Sequence, residues 1–225
     1  GVKRPPFMVA VAVDTLSIPG VRSSVRLCRA ADIAPLAADF LHRLPTRSSS
    51  DPGFYGAVLW PAALLLAQIL NTGPALQGRT SFELGAGTGL ASLVAAHRGA
   101  RAIASDVYPL SLELIGRSAS LERPPLDVTT AHFDVMSAEE VPRGVDLLLA
   151  ADVLYLTDLT RAVARRVVEA RRRDCAVLLT DSRKTHQKAF LEEMKALGVR
   201  NAYFDERELD WLPTHGERAS VLVFE

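Results

Sequence analysis

Residues 82–92 read FELGAGTGLAS, and this segment decides the fold. An apolar run ends at Leu84, three glycines follow at every second position (Gly85, Gly87 and Gly89), and apolar residues at helical spacing come next. Glycine lets a backbone turn tightly and approach a ligand closely. A helix that begins after such a loop points its free N–H groups into the same crevice. The segment therefore predicts a strand–loop–helix unit that binds a ligand at the loop.

Two carboxylates near this loop indicate the class of ligand. The GxGxG spacing lacks the wider step of a dinucleotide loop, and the lysine of a P-loop is missing. Glu83 would repel a pyrophosphate but attract a cationic ligand. Asp106 ends the next predicted strand, where an acid suits the two hydroxyls of a ribose. A ribose joined to a cationic tail without phosphates describes S-adenosylmethionine, which is therefore the expected cofactor.

Strand-like and helix-like segments alternate beyond about residue 80. Most of the strand-like runs are continuously apolar, which favours strands that are covered on both faces. The alternation predicts an α/β fold with a doubly wound, mostly parallel, seven-stranded Rossmann-like sheet. Only a short loop separates the last two strands, so the last strand should be antiparallel. The predicted strands are 80–85, 100–106, 126–134, 145–152, 175–181, 201–206 and 219–225, and the predicted helices between them are 89–99, 109–121, 159–173 and 184–198.

The first 54 residues follow a different pattern and predict an N-terminal extension to a single domain, 55–225. Two apolar runs, 9–15 and 25–30, suggest a β-hairpin with Gly20 in its turn. A short helix within 31–44 and a loop over 45–56 follow. The very apolar segment WPAALLLAQIL, with Pro61 suited to a first helical position, predicts a helix buried against the sheet.

Composition narrows the partners and the compartment. The 225 residues carry 26 basic and 26 acidic side chains, so the formal net charge is zero, and neither nucleic acid nor a membrane surface is favoured as a partner. Six arginines on the predicted helix 159–173 suggest a solvated outer face. Two cysteines in apolar runs indicate core thiols in a reducing compartment, cytoplasmic or nuclear, and not secretion. A monomer is favoured, although the sequence does not fix the oligomeric state.

Asp152 is the only charged residue in the stretch LLLAADVLYL, residues 147–156. Burying an unpaired carboxylate costs several kcal/mol, so chance rarely leaves one in a buried strand. In a doubly wound sheet, ligands bind outside the carboxyl ends of the strands. Asp152 is therefore expected to face that crevice beside the methyl group of the cofactor, with Tyr155 in the turn that follows.

These segments carry a family resemblance. ELGAGTGL together with the SD that ends the second strand resembles the class I, seven-strand S-adenosylmethionine-dependent methyltransferases. GFYGAVLWPAALLLAQIL and ADVLY narrow the resemblance to the protein-lysine methyltransferases called methyltransferase family 16. The similarity covers roughly residues 55–225 and implies methyl transfer to a lysine amine of a protein substrate.

The resemblance also implies roles for individual residues. Asp152 and Tyr155 would be catalytic and face the incoming amine. Asp134 would accept a hydrogen bond from adenine, but Val135 stands where the family usually has a tryptophan, and Tyr108 could offer a substitute ring face. The implied cofactor-binding residues are Trp60, Glu83, Gly85, Ala86, Gly87, Gly89, Asp106, Asp134 and Ala151.

Three other functions stay open. The same fold can serve a small-molecule N-methyltransferase, since a fold does not fix its substrate. A nucleic-acid aminomethyltransferase usually carries N/D-P-P-Y/F after the fourth strand, whereas this chain has Asp-Val-Leu-Tyr there. A non-catalytic binding module is disfavoured by the intact glycine loop and acids. The histidines show no metal-ligand spacing, so no metal is expected. Substrate choice is assigned to the hairpin, the loop 45–56 and the segment 205–218.

Overall fold

A computed structural model describes residues 10–19, 24–36, 54–212 and 216–225, with Phe54 described for its backbone alone. The predicted turn at Gly20, most of the predicted helix within 31–44 and most of the loop 45–56 lie outside these ranges. The division of the chain after residue 54 therefore stays a prediction.

The N-terminal hairpin is confirmed. Strands β1 (Val11–Leu16) and β2 (Val25–Ala30) pair in antiparallel register. The hairpin is tied to the main domain through β2, where the backbone N–H of Cys28 donates to Ser118 Oγ at 2.8 Å. Arg26 adds an ion pair with Glu122. These contacts fix the hairpin against the helix that carries Ser118.

The main domain is built on a seven-stranded sheet, as predicted. The strands are β3 (Thr80–Leu84), β4 (Arg101–Asp106), β5 (Val128–His132), β6 (Leu147–Ala151), β7 (Ala176–Asp181), β8 (Ala202–Glu208) and β9 (Arg218–Phe224). Their order in the sheet is β5-β4-β3-β6-β7-β9-β8. Pairing is parallel from β5 to β7, and β9 runs antiparallel to both of its neighbours. The strand order reverses between β3 and β6, which opens a crevice at their carboxyl ends.

Helices cover both faces of this sheet because its strands are apolar on both sides. Helices α4 (Thr157–Arg171) and α5 (Gln187–Ala196) bury their apolar residues against one face. Helices α1 (Pro61–Thr72) and α2 (Leu90–His97) do the same on the other face. Helix α3 (Pro109–Leu121) packs on β4 and β5 and against the hairpin strand β2. Helix α1 is buried as its sequence predicts, with Pro61 as its first residue.

Candidate active site

A cavity of about 430 Å³ lies at the carboxyl ends of β3, β4 and β6. Its volume is within the range of small-ligand pockets. Ten of the eleven site residues predicted from the sequence line it: Trp60, Glu83, Gly85, Ala86, Gly87, Asp106, Asp134, Ala151, Asp152 and Tyr155. The structure therefore brings residues from five separate parts of the chain to one cleft.

The glycine loop after β3 adopts a conformation that side chains rarely allow. Gly85 and Gly87 have φ values of +57° and +56°. A Cβ on Gly87 would lie 3.2 Å from the carbonyl oxygen of Gly56, which closes over the loop from the turn 54–57. The backbone N–H of Ala86 donates to the carbonyl of Ser105 at 2.8 Å. The loop is thus held open toward the cavity with its backbone exposed to a ligand.

Gly89 lies outside the cavity lining. It precedes the first residue of α2 with φ +74°, and a Cβ there would meet Ile115 of α3 at 2.6 Å. The third glycine of the motif therefore allows close packing of α2 on α3.

We expect Gly89→Ala to lower the free energy of unfolding by about 2–4 kcal/mol, because the left-handed φ and the overlap with Ile115 both add strain. The folded fraction should still bind S-adenosylmethionine with nearly unchanged affinity. Denaturant unfolding and calorimetric titration measure the two quantities. Gly116→Ala is the matched control, since a Cβ there meets nothing within 4 Å. A strong loss of cofactor affinity in folded Gly89→Ala would place the residue in the binding site after all.

Glu83 is the most deeply buried acid of the cavity wall, with 2% of its surface exposed. Its carboxylate accepts hydrogen bonds from the backbone N–H of Ser92, at 2.9 Å, and from the hydroxyl of the same residue. Burial raises the pKa of Glu83 from 4.5 to about 7, and the Ser92 hydrogen bonds offset only part of that effect. A cation bound beside this carboxylate would favour its ionised form.

Asp106, at the end of β4, binds the glycine loop to the neighbouring strand. Its Oδ2 accepts a hydrogen bond from the N–H of Gly87 and its Oδ1 accepts one from the N–H of Tyr108, both at 2.9 Å. The side chain is 5% exposed and lines the cavity. A carboxylate at the end of this strand suits a ribose diol, which donates two hydrogen bonds.

The segment after β5 forms the far wall of the cavity. Phe133, Asp134, Val135 and Met136 all line it, and so does Tyr108, which follows β4. Asp134 Oδ1 accepts a hydrogen bond from the N–H of Met136, which fixes the turn. Val135 is buried, so the wall at this point is aliphatic.

Arg166 holds this wall from behind and is an exception to the predicted solvated face. That prediction holds for the exposed arginines of the segment, Arg161, Arg165, Arg171 and Arg172. The side chain is buried and donates to the carbonyl oxygens of Val135 and Ser137. It also pairs with Glu169 at 3.0 Å, and its Cζ lies 5.6 Å from the ring centroid of Phe133. Helical spacing alone does not distinguish an arginine that caps a loop from one that faces solvent.

We expect Arg166→Met to weaken S-adenosylmethionine binding by about three- to tenfold, because the wall loses the donors that fix its carbonyls. Isothermal titration calorimetry measures the effect. Arg165→Met is the matched control on the same helix, since the Arg165 side chain is 54% exposed. Equal affinities for both variants would show that the wall does not depend on Arg166.

Asp152 follows β6 in a left-handed conformation, φ +52°, and is 9% exposed. Its carboxylate accepts hydrogen bonds from the backbone N–H and the hydroxyl of Ser182, at 2.7 and 2.8–2.9 Å. The N–H of Ala62, in the first turn of α1, donates to Oδ2 at 3.3 Å. Protein donors and a helix N-terminus therefore compensate the burial of this carboxylate.

Three aromatic rings line the same cavity as Asp152. The ring centroids of Tyr55 and Trp60 are 5.8 Å apart at an interplanar angle of 75°, and those of Tyr55 and Tyr155 are 6.3 Å apart at 76°. The Trp60 indole N–H donates to the carbonyl of Tyr55 at 3.0 Å. The guanidinium of Arg183, which also lines the cavity, lies 4.4 Å from the Trp60 centroid.

Sequence reasoning missed Ser182 and Arg183. Both follow β7, which neighbours β6, so the rule that ligands bind at the carboxyl ends of strands could have drawn attention to them. Nothing in the sequence indicates that Arg183 reaches Tyr55 and Trp60, because these two residues are more than a hundred residues away along the chain.

The cavity residues fit S-adenosylmethionine. Glu83 complements a cationic amino-acid tail, and the backbone of the glycine loop is open to its carboxylate. Asp106 offers acceptors for a ribose diol on the next strand. The aliphatic wall after β5 suits a purine ring.

Similarity to known proteins shows the family of this chain. A family profile described as lysine methyltransferase matches residues 47–197, more than half of the chain. The chain belongs to the lysine methyltransferase family. This lysine methyltransferase is 31% identical over 159 residues to the protein N-lysine methyltransferase METTL21A of Danio rerio, a match covering 67% of the chain and 72% of that protein. It is 38% identical over 111 residues to the protein-lysine methyltransferase METTL21E of Mus musculus, covering 45% of the chain and 46% of that relative.

A solved structure supports the fold. The T. thermophilus 16S rRNA N2 G1207 methyltransferase RsmC, in complex with AdoMet and guanosine, aligns with a TM-score of 0.56 and 16% identity. The alignment covers 98% of this chain and 52% of that one, and at this identity it shows the fold alone. The family match, with a cavity whose residues fit this ligand, assigns S-adenosylmethionine as the cofactor of the lysine methyltransferase.

Within residues 10–19, 24–36, 54–212 and 216–225, none of the helices is both long and apolar enough to cross a membrane. Within the same ranges, no three His, Cys, Asp or Glu side chains are placed together as metal ligands.

Proposed function

We propose that this lysine methyltransferase transfers a methyl group from S-adenosylmethionine to the ε-amine of a lysine in a protein substrate. One observation carries the proposal: a clamped carboxylate, Asp152, lines the same cavity as three clustered aromatic rings. This combination suits an amine that becomes a cation as it reacts. The relatives named as protein-lysine methyltransferases point to the same class of substrate.

The order of the strands separates two halves of the cleft. Glu83 on β3 and Asp106 on β4 would hold the cofactor, while Asp152 after β6 and Arg183 after β7 lie on the other side. Bound S-adenosylmethionine supplies a methyl group on a positively charged sulfur. A neutral amine would attack that carbon in line, with S-adenosylhomocysteine as the leaving group. The reactive carbon would therefore lie near the boundary between the halves, next to Asp152.

Asp152 orients the amine and stabilises the charge that it gains. The carboxylate is fixed by Ser182 and Ala62, so it needs no rearrangement as the positive charge moves from sulfur to nitrogen. Tyr155 contributes a ring to the wall of the same cavity. The lysine amine must be neutral when it attacks the methyl group, and burial beside the sulfonium lowers its pKa. Positioning and exclusion of water then supply most of the rate.

Radiolabelled cofactor and a cell lysate test this function. The protein is incubated with methyl-labelled S-adenosylmethionine, and the label is traced into protein, RNA and small molecules. We expect label in protein, recovered as N-methyl-lysine after acid hydrolysis. Label in RNA or in small molecules would reassign the substrate class. A melting temperature that S-adenosylmethionine does not raise would contradict the binding step itself.

A further inference from the structure

The guanidinium of Arg183 occupies the corner that the aromatic rings form. Its Cζ lies 4.4 Å from the ring centroid of Trp60 and 5.5 Å from that of Tyr55. The two rings meet nearly at right angles, so a cation between them faces two π-surfaces. Corners of this type recognise ammonium and methylammonium groups.

This corner is the place where a substrate lysine would have to end. It lines the same cavity as Asp152, and Arg183 directly follows Ser182, whose N–H and hydroxyl bind that carboxylate. Arg183 itself follows β7, which neighbours β6 on the side away from β4. The ammonium group of an entering lysine and the guanidinium of Arg183 would therefore compete for the same two rings.

We propose that Arg183 acts as a resident competitor for the lysine subsite: its guanidinium fills the aromatic corner in the free protein and leaves it when a substrate lysine enters. The inference rests on the proposed function and concerns the same site. The side chain is exposed and belongs to the segment between β7 and α5, so it can turn out to solvent without repacking the core.

A resident cation raises the apparent dissociation constant of whatever replaces it, by the inverse of the fraction of molecules with an open corner. It also selects among ligands. A trimethylated ammonium is weakly hydrated and binds an aromatic corner well, so it displaces the arginine more readily than a small ammonium does. Arg183 therefore determines which lysine side chains enter and how tightly they are held.

A binding experiment tests this proposal without turnover. Nα-acetyl-Nε-trimethyl-lysine amide is titrated into 15N-labelled protein saturated with S-adenosylhomocysteine, and the indole N–H signals of Trp60 and Trp211 are followed by NMR. We expect the probe to shift the Trp60 signal and to leave that of Trp211, which donates to Gln68, unchanged. In Arg183→Ala the dissociation constant of the probe should fall by about two- to fivefold, the factor that one exposed cation–π contact corresponds to.

Two variants keep the test decisive. Arg183→Lys retains the charge with a smaller contact area and should lie between the wild type and Arg183→Ala. Arg200→Ala removes an equally exposed arginine outside the cavity and should bind the probe like the wild type. Unchanged or weaker binding in Arg183→Ala, or no shift of Trp60 in any protein, overturns the competitor role. Methyl transfer to protein lysine in the labelling experiment would stand in either case, so the two failures are distinguishable.

Discussion

Replacing Asp152 with asparagine is expected to slow methyl transfer by at least about 100-fold, while the affinity for S-adenosylmethionine stays within about threefold. The carboxylate compensates charge that develops on the amine, and the neutral amide cannot. Asparagine is the appropriate substitution because Asp152 has φ +52°, a conformation that asparagine tolerates better than alanine. The new amide keeps an acceptor for Ser182 but turns its NH2 toward the N–H of Ala62, so some stability is lost as well.

Single-turnover kinetics measure the rate at which label enters the lysate protein that the wild type methylates, or the purified substrate once it is known. Calorimetry measures the affinity for S-adenosylmethionine. Asp181→Asn is the matched control, since Asp181 is also a buried acid, at the end of the neighbouring strand, and its carboxylate accepts hydrogen bonds from Lys184 and Gln187. Its rate should stay within several-fold of the wild type. Transfer by Asp152→Asn at a near-normal rate would remove this residue from the reaction.

The second large effect concerns Glu83. Glu83→Gln should weaken S-adenosylmethionine binding at about pH 8 by roughly ten- to a hundredfold, because a hydrogen bond to a charged group is lost. The same change should stabilise the free protein. The raised pKa means that ionising Glu83 inside the fold is unfavourable, and glutamine avoids that penalty while still accepting the Ser92 hydrogen bonds.

The pH dependence follows from the direction of the shift. The pKa of Glu83 is raised from 4.5 to about 7, so between these values the folded state holds a proton that the unfolded state has lost. Stability attributable to Glu83 therefore falls as pH rises through this window and levels off above it. The free energy of unfolding of Glu83→Gln relative to the wild type should increase by about 2 kcal/mol between about pH 5 and about pH 8.

Cofactor affinity should respond in the opposite sense. Binding of a cationic tail favours ionised Glu83, so the affinity of the wild type should rise with pH up to about 7 and then level off. Denaturant titrations and calorimetry at several pH values give both curves. Glu192→Gln serves as control, since Glu192 is exposed on α5. A pH-independent difference between Glu83→Gln and the wild type would mean that Glu83 is not a buried titrating group.

Local sequence signals predicted the sheet well. Helix and strand periods differ clearly after residue 80, and the short link before the last strand correctly indicated its antiparallel direction. The boundaries of the helices were predicted less accurately. Helix α4 begins at Thr157, two residues before its predicted start, because the turn after Asp152 leads directly into it. Nothing in the periodicity marks such an early start.

Site residues could be predicted where they lie at the carboxyl end of a predicted strand. Glu83, Asp106 and Asp152 could be placed in one cleft because the carboxyl ends of parallel strands share an edge. Contacts between distant segments could not be read in the same way. The clamp of Ser182 on Asp152 and the arginine between Trp60 and Tyr55 depend on how β7 and the turn 54–57 meet in space. Gly89 belongs to the glycine motif but lies outside the cavity lining, and its lack of a side chain allows close packing against Ile115.

A crystal structure with S-adenosylhomocysteine is the most direct test of the central claim, that the cofactor spans the cleft between Glu83 and Asp152. We predict that the ribose hydroxyls bind Asp106, that the amino-acid tail lies over Gly85 and Gly87 next to Glu83, and that the sulfur faces the side of Asp152. A ligand bound elsewhere, or a cleft still empty at saturating ligand, would contradict the account.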